Sequence, residues 1–164
     1  MLQALSDWLT ATQLSAFVNN HAWVWPACET LHFIGLALLI GSVGMLDFRL
    51  LGVEKRLPFA PLNRFVQWAV IGFAINLATG VMFFVGNPQQ YVHNVAFGWK
   101  LAFMVLAGVN VLVFYATGLF RTVSTLGPGD DAPFGAKVIA ATSLILWICV
   151  MYMGRMLPYI GNSF

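Results

Sequence analysis

Apolar positions along the chain gather into four long runs, separated by shorter polar segments. The runs cover about residues 27–46, 65–86, 97–120 and 138–157. Each is close to the ~20 residues that an α-helix needs to cross a hydrocarbon core of about 30 Å. Hydrocarbon offers backbone groups no water, so each run must satisfy its own N–H and C=O groups, and helices are predicted. Pro26 suits the first turn of the first helix, where a missing N–H costs nothing. Residues 1–20 are patterned differently: Leu2, Leu5, Trp8, Leu9, Leu14 and Phe17 stand among polar residues. That pattern predicts an amphipathic segment, either lying in the membrane interface or packed on the end of the bundle. It lacks the basic start and continuous apolar core of a cleavable signal peptide. Asn87-Pro88 predicts the start of a short helix before the third span, with Gly98 as a break. The segment from Leu126 to Pro133 predicts a loop. The fold expected is all-α: a single transmembrane domain over residues 1–164, built as a four-helix bundle with an N-terminal amphipathic helix.

Composition agrees with this pattern. Of the 164 residues, 60% are hydrophobic and 9% charged, against roughly half and a quarter in soluble domains. The four spans leave no room for a separate soluble domain, and a net charge of +2 is too small to suggest nucleic acid. Cys28 and Cys149 fall within spans and read as small buried hydrophobes. Neither belongs to a C-x-x-C-H motif, which excludes covalent haem attachment.

The basic residues set an expected orientation. Arg49, Lys55, Arg56 and Arg64 lie between spans one and two, and Arg121 and Lys137 between spans three and four. Only Lys100 and Arg155 lie toward the opposite side. The positive-inside rule then places both connecting loops in the cytoplasm and both termini outside. In a Gram-negative cell that outside is the periplasm, and the membrane is the inner one. Trp23, Trp25, Tyr91, Trp99, Tyr152 and Tyr159 would form an aromatic belt on the outer side.

All three histidines fall toward that side. His32 lies inside the first span, about 9 Å below the level of Pro26 at 1.5 Å per residue, with Glu29 one turn above on the same face. Intramembrane ionisable residues are costly and mark functional sites. His32 is therefore a candidate metal ligand with Glu29 as its orienting group; otherwise the pair is a packing contact. An E-x-x-H pair also occurs in di-iron bundles, but those need a second pair and further glutamates. The only other glutamate, Glu54, sits in a connecting loop. Haem b instead needs one or two axial ligands from facing helices and an apolar slot. His32 with His93, in the segment before span three, is the first choice of pair. His21, just before span one, is left for a second haem or a copper ion. Lys100 and Arg155 are candidate partners for haem propionates, or they reach toward lipid phosphate. Met151, Met153 and Met156 could add thioethers for Cu(I). Gly72, Asn76 and Gly80 form a small-residue stripe that admits a close helix or a flat ring, and Asn110 could reach Asn76. Asp47 and Arg49, at the exit of span one, read as an anchor.

The stretch Trp25-x3-Glu29-x2-His32-x2-Gly35-x5-Gly41-x5-Asp47-x-Arg49-x2-Gly52 resembles the signature of a bacterial family of small four-span membrane proteins with no assigned function. The likeness covers most of the chain. More distantly, the arrangement is similar to membrane b-type cytochromes and to copper-resistance D-like proteins. That wider resemblance implies non-covalent haem b, one or two per chain, and copper as a further possibility. Three histidines cannot make two bis-histidine sites within one chain, which departs from the two-haem pattern of four histidines in one bundle. The expected activity is electron transfer or redox chemistry rather than hydrolysis or group transfer. The partner would be a quinone or a periplasmic carrier, and the expected assembly a homo-oligomer, dimer or trimer. The alternatives are a haem-free copper-binding protein and a structural or assembly subunit.

Overall fold

The computed structural model describes residues 2–160. Every regular element in it is helical. Four helices are long and apolar enough to cross a membrane. They are α3 (Val24–Leu51), α5 (Arg64–Gly86), α7 (Val95–Ala116) and α9 (Phe134–Met156). Short helices fill the connections: α4 (Phe59–Leu62), α6 (Pro88–Val92) and α8 (Leu119–Val123). Two more, α1 (Leu2–Thr10) and α2 (Gln13–Asn20), precede the first span. The starts of α3 and α7 and the ends of α5 and α9 lie together at one end of the bundle, the His32 end. α4, α8 and the long loop before α9 lie at the other, the Arg49 end.

The amphipathic start packs by its small face. Ser6, Leu9, Ser15 and Val18 are buried, while Leu5, Trp8, Leu14 and Phe17 stay exposed. α1 rests on α6, and α2 on α5 and α3. Of the two readings, packing on the bundle end is the one the segment shows. It also keeps a bulky apolar face outward, the face an interfacial helix would turn to lipid.

Some boundaries differ from the sequence reading. α3 continues through Asp47 and Arg49 and ends at Gly52, whose left-handed backbone (φ 91°) closes the helix. The charges that suggested an exit are buried against protein instead. α7 runs through Gly98 without a break. The interruption falls at Asn94, whose side chain accepts from the Phe97 N–H and caps α7. Pro88 does open α6, but the Asn87 side chain bonds Gln90 rather than a backbone N–H.

α3 and α5 form the tightest pair. A Cβ on Gly72 would sit 2.6 Å from the Gly35 carbonyl oxygen and 2.6 Å from the Leu39 nitrogen. Backbone cannot yield there, so only glycine fits, as in small-residue helix contacts generally. Asn76 donates to the Gly72 carbonyl of its own helix, and Asn110 donates to Ile139 O of α9. The expected Asn76–Asn110 bond is not formed, because each amide is taken up by a nearer carbonyl.

The Arg49 end is packed around a buried cluster of Leu50, Phe59, Val123, Ala132, Ala136 and Ala140. Arg49 is 1% exposed. Its guanidinium donates to the carbonyls of Leu57, Gly127 and Asp130, at 2.6, 3.1 and 3.3 Å. One side chain thereby ties the loop after α3 to the loop before α9. Asp47 does not pair with Arg49; it lies buried against Ser143 of α9. Asp131 bridges Lys55 and Lys137 on the surface, and these two cations hold its carboxyl down at about 2.

Candidate functional site

The His32 end is hollow. A cavity of about 650 Å³ lies among α3, α5, α7 and α9, with Tyr91 of α6 at its rim. That volume is within the ~300–1,000 Å³ usual for small-molecule and cofactor sites. Its walls are mainly aromatic and aliphatic, including Trp25, Phe83, Phe84 and Trp147. The polar groups that reach it are few: Glu29, His32, Asn76, Tyr91, Lys100 and Arg155.

His32 is the best-defined of these. Its Nδ1 lies 2.7 Å from the Thr79 hydroxyl on α5. That hydroxyl is also 2.7 Å from Ile75 O and 3.2 Å from Asn76 O. A hydroxyl has one proton, and carbonyls only accept. With the Thr79 proton on a carbonyl, His32 Nδ1–H is the donor and Nε2 keeps its lone pair. A hydrogen bond that fixes one ring nitrogen and leaves the other free is the usual support of a ligating histidine. The Phe83 ring packs beside the imidazole, 5.5 Å between centroids. Thr79 took no part in the sequence reading, which gave the orienting role to Glu29. The faint signal was its place in the Gly72–Asn76–Gly80 stripe.

Glu29 lines the cavity one turn from His32 but forms no hydrogen bond or ion pair among the described residues. It shares the rim with Tyr91, whose hydroxyl is pushed above the usual phenol range by burial and, second, by the Glu29 charge. Lys100 enters from α7, about 8 Å below the start of that helix at 1.5 Å per residue. It too has no polar partner among the described residues. Gly154 of α9 faces it, and a Cβ there would be 3.6 Å from Nζ. Arg155 sits at the edge, its guanidinium 5.6 Å from the centre of the Tyr159 ring.

The other two histidines are elsewhere. His93 is exposed at the C-terminus of α6 and does not line the cavity. The inward place beside it is taken by Asn94, which is 6% exposed and donates to Leu157 O at the end of α9. His21 is exposed at the end of α2, with Nδ1 2.9 Å from Phe17 O. Among the described residues, no three His, Cys, Asp or Glu side chains gather into a metal site. Of the expected aromatic belt, Trp23, Trp99, Tyr152 and Tyr159 are exposed, while Trp25 and Tyr91 turn inward to wall the cavity.

A family model described as "Family of unknown function (DUF6644)" matches residues 7–162, nearly the whole chain. The chain belongs to this family. No curated protein and no solved structure matches it. The DUF6644 match bears out the likeness to a family with no assigned function that was read from the first helix. It adds nothing to the wider likeness to b-type cytochromes and copper-resistance D-like proteins, so a function for this DUF6644 protein has to be argued from the cavity.

Proposed function

We propose that this protein is a membrane b-type cytochrome that holds one haem b in the cavity at its His32 end. The observation that carries the proposal is His32 itself: an intramembrane imidazole with Nδ1 on Thr79 and Nε2 free, facing an aromatic-walled cavity. The residues present suit the group. His32 Nε2 would hold the iron, and Thr79 would keep the ring oriented and raise its basicity. Trp25, Phe83 and Trp147 would flank the macrocycle, and Gly80 leaves it room, since a Cβ there meets nothing within 4 Å. Lys100 and Arg155 would pair with the propionates. Met104 and Met151 line the same cavity and bring thioethers of a kind that serve as second axial ligands. Bound haem would supply one-electron chemistry, with a potential set by axial ligand, burial and nearby charge.

Electron transfer follows as the activity, either alone or as a component of an oxidoreductase. The placement of the basic residues supports insertion in a bacterial inner membrane with the His32 end toward the periplasm. Copper has less behind it. His21 and His93 stand apart from the cavity, and of the three methionines near the end of α9 only Met151 lines it.

The test is a reduced-minus-oxidised absorbance spectrum of purified protein, with pyridine haemochrome and metal analysis of the same sample. The expected result is a b-type spectrum at about one haem per chain. Protein made with ample haem that shows no Soret band would overturn the proposal, and stoichiometric copper in it would establish the metal-handling alternative.

A further inference from the structure

The cavity has walls on three sides. α3 packs along α5 and against α9, and α9 packs along α7, but α5 and α7 do not pack along each other. Near the His32 end they approach through aromatic rings: Phe84 stacks on Phe97 at 5.7 Å, and Tyr91 meets Phe97 edge-on at 5.2 Å. Beyond this bridge, Leu77 and Val81 of α5 and Leu101 of α7 line the cavity and are also exposed. At 1.5 Å per residue they lie about 8–14 Å from their helix ends, a depth that belongs to hydrocarbon. This side is therefore apolar and faces lipid, while the exposed Glu29 and Arg155 mark a separate, polar edge at the end of the bundle.

One charge stands just inside the apolar side. Lys100 adjoins Leu101 in sequence and lines the cavity with no polar partner among the described residues. An unpaired ammonium at membrane depth is costly and needs either a counter-charge or a route to water. An apolar mouth with an unpaired ammonium close behind it fits a molecule that dissolves in the bilayer by its body and carries an acid group.

We infer that the cavity is loaded sideways from the bilayer, through the opening between α5 and α7, by an amphipathic molecule whose carboxylate pairs with Lys100. The haem proposal supplies one such molecule, a flat apolar ring with two propionates, and the identity of the ligand rests on that reading. The loading route does not. Phe84, Tyr91 and Phe97 form the lintel of the opening. Leu77, Val81 and Leu101 are its sill and sides. Lys100 is the positioning residue that holds the acid end once it is inside.

The test uses the full-length apoprotein in phosphatidylcholine vesicles, with haemin supplied from haemin-loaded donor vesicles. Leu77→Trp combined with Leu101→Trp narrows the opening at exposed positions, and circular dichroism confirms that the fold is kept. Uptake, read as the rate of approach to its own final level, should slow severalfold. Lys100→Gln should leave the uptake rate near that of the parent and speed haemin release severalfold, as loss of one partly screened ion pair would. An unchanged uptake rate in the tryptophan pair would overturn the loading route, and an unchanged release rate in Lys100→Gln would overturn the anchor. A long-chain fatty acid with an environment-sensitive fluorophore, excited directly, separates this inference from the haem proposal. Fatty-acid entry that the tryptophan pair slows and Lys100→Gln weakens, in protein that takes up no haemin, keeps the inference and removes the haem. Failure of both probes to bind removes the inference.

Discussion

The two ends of the bundle each draw a cation away from water, and they treat it in opposite ways. Arg49 is fully enclosed and gives its guanidinium to three backbone carbonyls. Lys100 faces a cavity and finds no partner among the described residues. Around Arg49 the helices close on a cluster of alanines, Leu50 and Phe59; around Lys100 they spread and leave about 650 Å³. The cost of a buried charge has to be met by something. Where the protein's own carbonyls meet it, the charge is structural. Where nothing in the fold does, the charge is a mark of a site. Histidine follows the same division: of the three, only His32 combines a fixed ring nitrogen with a place in the cavity.

Substitutions at the two ends should therefore have different readouts. The largest effect on stability is expected from Arg49→Ala. It removes three charge-assisted hydrogen bonds, each worth about 1.5–3 kcal/mol, and leaves carbonyls unpaired. Loss of at least ~3 kcal/mol is expected, read as a sharp fall in thermal stability in detergent, with ligand content per folded molecule unchanged. An Arg49→Ala protein as stable as the parent would remove the clamp. Gly72→Ala comes next, because its methyl would press on backbone; about 1–3 kcal/mol of overpacking is expected. Its contrast is Gly80→Ala, eight residues further along the stripe, which should hardly move the unfolding temperature and should act on the cavity alone. If both variants behave alike, the stripe is one packing surface and not a contact followed by a cavity wall.

Thr79→Val keeps the shape and removes the hydroxyl that holds His32. About 1 kcal/mol of stability should go with it, but the sharper readout is a shifted Soret band or weaker haem retention. No change in either would show that the imidazole is oriented by other means. The smallest effect belongs to the surface bridge of Asp131. Its folded carboxyl titrates near 2, below the ordinary 3.8. Its contribution is thus present above pH 3.8 and is lost as pH falls through about 2. The difference in unfolding temperature between parent and Asp131→Asn should be small, constant above pH 4, and vanish toward pH 2.

Sequence patterning was a good guide to the spans and a partial guide to the site. Hydropathy placed the second helix within a residue of its observed start, because nothing but lipid and other helices decides that segment. The first helix ran past its expected end, because Asp47 and Arg49 look like an exit until their burial is seen. His32, Lys100 and Glu29 could be singled out, since a charge or imidazole in an apolar run is conspicuous. Arg49 could be read as an anchor, but its partners could not, because they are backbone carbonyls and leave no trace in side-chain pattern. His93 looked as good a ligand as His32 until Asn94 was seen to take the inward position. Thr79 was faint for a different reason: a threonine in a span usually bonds its own helix, and this one does that while also supporting a histidine from a neighbouring helix.

The most direct test of the account is haem content measured side by side in His32→Ala, His93→Ala and His21→Ala, each purified and normalised to inserted protein. Cavity geometry predicts that His32→Ala loses its haem while the other two keep theirs with parent-like spectra. Full haem occupancy and an unchanged spectrum in His32→Ala, or loss of haem in His93→Ala with His32 intact, would contradict it.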